Sequence, residues 1–113
     1  MKIIDLESFN EEMDNDRDVV KMVISELINA IDNQIPRMRA LIEERKYLVL
    51  GREAHSIKGG ARNVMAERLE YASADLEKCV LNEVPEEILA SLELFTSEFN
   101  LFKVYTTREL STN

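Results

Sequence analysis

Apolar residues recur along this chain at steps of three and four, the period of one face of an α-helix. The longest run is Val20, Ile24, Leu27, Ile31, Ile35, Met38 and Ile42, which makes one continuous stripe. Pro36 lies inside it. Proline lacks a backbone donor and its ring crowds the preceding turn, so a kink or break is predicted near Asn33 to Ile35. Leu50, Ala54, Ile57, Ala61 and Val64 form a second stripe and predict a helix from about Leu48 to Val64. Leu69, Ala72, Leu76 and Val80 predict a third, from about Ala66 to Leu81. Pro85 stands where a first-turn proline belongs, and Glu86 and Glu87 suit a helix N-terminus. The helix they open carries Ile88, Leu92, Phe95, Phe99 and Phe102 on one face. Ahead of the long stripe, Leu6 to Met13 predicts a short helix. Asp14-Asn15-Asp16 then interrupts the pattern and offers an N-cap, with Asp16 or Asn15 the best candidates. The residues from about Thr106 are polar and expected to fray.

Five or six helices with narrow stripes and short connections predict an all-α fold. The expected architecture is an antiparallel four-helix bundle with a short extra N-terminal helix, one domain over residues 1–113. Such stripes establish a core and carry no function by themselves. Composition agrees: 113 residues suit one domain, 45% of them are apolar, and three glycines and two prolines leave long helices undisturbed. The net charge of -8, from 14 basic and 22 acidic side chains, repels nucleic acid and anionic membranes, so neither is an expected partner. Cys79 stands alone, so no internal disulfide can form, and the simplest reading of it is a small buried apolar residue. The acidic start lacks an apolar leader, and the run Tyr47 to Leu50 is far too short to span a membrane, so the expected compartment is the cytoplasm. A monomer is the simplest oligomeric expectation. One histidine and one cysteine on different helices do not make a metal site. No glycine-rich phosphate loop is present, so the chain is not itself a kinase, and no cofactor is expected.

The chemistry concentrates in Arg52-Glu-Ala-His-Ser-Ile-Lys-Gly-Gly-Ala-Arg62. His55 follows Ala54, a stripe residue, by one helical step of about 100°, which places it at the rim of the core face. Gly59 and Gly60 each cost roughly 0.5–1 kcal/mol against alanine in a helix interior. Helical side chains lean toward the N-terminus, so residue i+4 leans over residue i. A missing side chain at Gly59 would therefore clear the space above His55 for an approaching group. The plain alternative is that the helix ends at Gly59, although the stripe continues through Ala61 and Val64. Arg52, Lys58 and Arg62 lie at i−3, i+3 and i+7 from His55 and share its face. Three cations around the single histidine of an acidic protein suit an anion carried on the ring, yet a solvated face of unrelated charges explains them about equally well. Imidazole is nucleophilic in its neutral form near physiological pH, which suits it to accept and release a phosphoryl group.

Residues 53 to 77 resemble the signature of histidine-containing phosphotransfer domains. Ala54, His55, Ile57, Lys58, Gly59, Ala61, Val64, Leu69, Leu76 and Glu77 fit its pattern, and the likeness covers nearly the whole chain. The family often has glycine after the position of Val64, as a device for the turn between the central helices; Met65 stands there instead. The resemblance implies that His55 is phosphorylated on its outward ring nitrogen, with Lys58 helping to neutralise the phosphoryl group and Gly59 giving access to it. Arg52, Arg62 and Gly60 would assist phosphoryl or partner binding. The partners implied are receiver domains of response regulators or hybrid histidine kinases, which supply the magnesium ion and most of the catalysis. The chain would be a passive carrier in a two-component phosphorelay. A phosphoacceptor module of a chemotaxis-type kinase, and a helical scaffold without phosphate chemistry, are the competing readings. Docking in the family uses an apolar patch near the histidine, for which Phe9, Met13, Val19 and Met22 are the candidates.

Overall fold

The computed structural model describes residues 1–111. Five helices follow in order: α1 (Leu6–Glu12), α2 (Arg17–Glu43), α3 (Tyr47–Asn63), α4 (Glu67–Val80) and α5 (Pro85–Ser111). Helices α2 to α5 form the antiparallel bundle. α2 packs beside α3 and α5, and α4 completes the ring between α3 and α5, so α3 and α5 are diagonal to each other. The four predicted stripes meet in its centre, where Leu50, Ala54, Ile57, Leu69, Leu76, Ile88, Leu92, Phe95 and Phe99 are all buried.

Each helix begins and ends for local reasons. Asp16 is the N-cap of α2 and accepts from the backbone amides of Asp18 and Val19. Asn15, the other candidate, has left-handed backbone at φ 58°. The three bundle connections each use one non-glycine residue in that region: Arg45, Met65 and Glu83. At the end of α3 the amide of Ala66 bonds the carbonyl of Ala61 and that of Met65 bonds Arg62, the pattern that closes a helix around a left-handed residue. Methionine thus makes the turn for which a glycine was expected, at a cost in backbone strain.

Differences in helix length explain α1. α2 and α5 have 27 residues each, against 17 and 14 in α3 and α4. At 1.5 Å per residue, α2 and α5 extend beyond the α3–α4 turn by on the order of 15 Å. The N-terminal segment fills that step. The amide of Asp5 bonds the carbonyl of Met65, the amide of Arg68 bonds that of Lys2, and Phe9 seals the end of the core.

Three expectations are corrected. α2 runs unbroken through Pro36. Ile31, Ile35, Met38 and Ile42 are buried on both sides of the proline, while Pro36 and Asp32, whose carbonyl loses its partner, face solvent. Water can satisfy that carbonyl, and the packed stripe outweighs the local defect. The C-terminal stretch does not fray at Thr106: α5 continues to Ser111, with Thr106 and Leu110 buried and the Thr106 hydroxyl donating to the carbonyl of Phe102. Cys79 is half-buried against the core and unpaired. Among the described residues no helix is long and apolar enough to cross a membrane.

Candidate functional site

Ala54 is fully buried, and one step around α3 the His55 side chain is 69% exposed, at the mouth of the groove between α3 and α4. The groove opens into a cleft of about 540 Å³ lined by Tyr47, Leu48, Gly51, Arg52, His55, Glu77, Val80, Leu81 and Glu83.

The ring is held from α4. His55 Nδ1 lies 2.8 Å from Glu77 Oε2, and Lys58 Nζ donates to Glu77 Oε1 at 2.7 Å. The hydrogen bond from Lys58 holds the Glu77 carboxyl below its ordinary range. The bond from His55 adds to this, and partial burial opposes it. An ionised carboxylate only accepts, so Nδ1 must carry the hydrogen of this bond. In the neutral ring the lone pair then resides on Nε2, the nitrogen turned away from Glu77. One carboxylate therefore fixes the tautomer, orients the ring and anchors Lys58 beside it.

The two adjacent glycines serve different purposes. A Cβ added at Gly59 would meet nothing within 4 Å, so the space beside α3 at that point is open. A Cβ at Gly60 would stand 2.8 Å from Leu27 Cδ1. Gly60 thus leaves room for the Leu27 side chain of α2 against α3.

Of the three cations expected on the face of His55, two are paired with carboxylates of α4. Lys58 is paired with Glu77, and Arg62 Nε donates to Glu70 Oε2 at 2.8 Å, away from the His55 cleft. Arg52 alone lines the cleft with His55 without a side-chain partner among the described residues. Glu77 fits the family pattern in the sequence, but its hold on His55 and Lys58, and that of Glu70 on Arg62, were not read from α3. Glu70 and Glu77 are seven residues apart and so share one face of α4; that spacing, opposite the Lys58 and Arg62 pair, was the available signal.

Of the four docking candidates, Phe9 is 1% exposed and belongs to the core, and Met13 packs against it. Val19 is half-buried and Met22 exposed on α2. Exposed Leu48 and Leu81, from the start of α3 and the end of α4, add apolar surface directly beside the histidine. Among the described residues no cluster of side chains could hold a metal ion.

The sequence profile of the Hpt domain matches residues 22–101, a span that includes His55, Lys58, Gly59 and Glu77. No curated protein and no solved structure matches the chain. With a helical bundle and a profile match over most of its length, the chain belongs to the Hpt domain family, whose members carry out histidine phosphotransfer in two-component phosphorelays.

Proposed function

We propose that His55 is the phosphoacceptor, and that the chain carries a phosphoryl group on it from the aspartyl phosphate of one receiver domain to the aspartate of another. The supporting observation is the exposed ring whose Nδ1–H is held by ionised Glu77, which leaves the Nε2 lone pair facing open space.

In the forward step Nε2 attacks phosphorus of the aspartyl phosphate. The N–P bond forms as the P–O bond to the aspartate breaks, and the aspartate carboxylate leaves with the electron pair. No proton has to move, because Nδ1 keeps its hydrogen, and the positive charge that develops on the ring is offset by Glu77. Lys58 and Arg52 supply positive charge for the phosphoryl oxygens, and the bare backbone at Gly59 leaves room for the receiver's active site. Return transfer to a second receiver is the same step reversed. In this reading the chain's contribution is to position the nucleophile while the receiver supplies the catalytic groups. Leu48 and Leu81 are the apolar surface on which a receiver would rest.

The test is incubation with a phosphorylated receiver domain. The expected product is acid-labile, base-stable label on the chain, absent from a His55→Gln variant and dischargeable by a second receiver. Label that persists without His55 would remove the proposal. Label acquired from an isolated kinase domain, and from no receiver, would favour the chemotaxis-type reading.

A further inference from the structure

α5 has two apolar faces, and the bundle uses only one. Ile88, Leu92, Phe95, Phe99 and Phe102 point inward. On the opposite side Ala90, Leu94, Ser97, Leu101, Val104 and Arg108 follow one another at alternate steps of four and three. That is the spacing of a heptad seam. Leu94 is 66% exposed, Leu101 45% and Val104 58%. Isolated exposed apolar residues need no explanation, but these share one register on one straight face. Among the helices α5 packs only on α2 and α4, and the exposure of Leu94, Leu101 and Val104 shows that this seam is uncovered among the described residues.

The charges at its ends identify the occupant. Glu87 stands at the start of the stripe, one step of three before Ala90, and Arg108 at its end. Neither side chain is paired with another among the described residues, although the Arg108 carbonyl accepts from the Ser111 hydroxyl. Parallel pairing of two such helices would set Glu87 on Glu87 and Arg108 on Arg108. Antiparallel pairing sets Leu94 against Val104 of the second copy and Leu101 against Ser97. Arg108 then falls beside Ala90 of the second copy and within one helical turn of its Glu87. Acidic end meets basic end, and apolar centre meets apolar centre, through a single patch that complements itself about a twofold axis.

From this we infer that two copies of the chain associate through the outer face of α5, antiparallel, where the sequence alone suggests a monomer. α3 is diagonal to α5 across the bundle, and His55 is on the groove between α3 and α4, so the His55 clefts remain open in the pair. Few large side chains are buried, so the association is weak, in the micromolar range or above.

Sedimentation equilibrium of the full chain over a concentration series tests the inference. The mass is expected to rise from 13.0 kDa toward twice that value. Leu101→Glu lies on the exposed face, should retain the helical circular dichroism signal, and is expected to stay at 13.0 kDa throughout. Arg108→Glu should weaken association roughly tenfold, and adding Glu87→Arg to that variant should restore it. A mass that stays at 13.0 kDa up to millimolar concentration overturns the inference. So does a dimer that persists in Leu101→Glu, or a charge exchange that fails to restore pairing. Phosphotransfer by Leu101→Glu is expected to equal that of the parent chain, so loss of the dimer and loss of the His55 chemistry are separately visible.

Discussion

Replacing Glu77 by glutamine removes one charge while keeping the shape of the side chain that joins α4 to His55 and Lys58. The Lys58 bond is 2.7 Å long between side chains that are 21% and 29% exposed. A buried hydrogen bond to a charged group contributes about 1.5–3 kcal/mol, and exposed ion pairs about 0–1 kcal/mol. This half-buried pair falls between, and glutamine keeps a neutral acceptor for Lys58, so the expected loss at pH 7 is about 1 kcal/mol. The pH dependence has a definite sign. Bonds from Lys58 and His55 hold the carboxyl below its reference value of 4.5. The unfolded chain therefore binds this proton more readily, and Glu77 adds stability that is complete above pH 4.5 and lost as pH falls through the lower, folded-state value. Glutamine has no proton to exchange, so the gap between parent and variant should close across that window. Urea unfolding at a series of pH values measures it. A second readout is the His55 ring nitrogens by NMR. The parent should show hydrogen on Nδ1 and the lone pair on Nε2. The variant amide can turn its NH₂ toward Nδ1, which admits the other tautomer and slows transfer. Equal stabilities at neutral pH, a gap that survives protonation of the carboxyl, or an Nε2–H tautomer in the parent would each refute the reasoning.

Other expectations follow from single positions. Gly59→Ala should stabilise the chain by about 0.5–1 kcal/mol because its Cβ meets nothing, whereas at Gly60 the approach to Leu27 should cancel or reverse that gain; thermal unfolding of both variants checks the contrast. Gly59→Gln should fold well yet accept phosphate from a receiver slowly, and an unchanged transfer rate would disprove the clearance argument. Met65→Gly should be more stable than Met65→Ala by about 1 kcal/mol, the reverse of their order in a helix interior, because φ is 61°; urea midpoints give the order directly. Pro36→Ala should restore a hydrogen bond to the carbonyl of Asp32 and raise stability by about 1–3 kcal/mol, and a loss by the same measurement would show that the bundle needs the proline.

Much of the fold was legible because helical periodicity is local. The stripes from Val20 to Phe102 placed four helices, with α3 and α4 bounded to within about a residue, and Pro85 marked the start of the last. Local rules failed where packing competes with them. Pro36 reads as a break, but the buried residues around it hold α2 in one piece. Thr106 reads as a polar tail, but its hydroxyl is satisfied by a carbonyl one turn back, which lets it be buried. Met65 reads as unsuited to its turn, but the bonds at the end of α3 and the N-terminal segment resting on it hold the left-handed conformation.

The site divides in the same way. Sequence alone determined that His55 is at the rim of the core face, with a bare backbone position one turn on, since both depend only on helical geometry within α3. Tertiary structure decided what surrounds the ring. Glu77 is 22 residues away in the chain, and only the pairing of α3 with α4 brings its carboxylate to Nδ1 and to Lys58. The same pairing occupies Arg62 with Glu70 and assembles the cleft from both helices. A helix fixes the direction of its own side chains, but the charge that meets them belongs to whichever helix packs alongside.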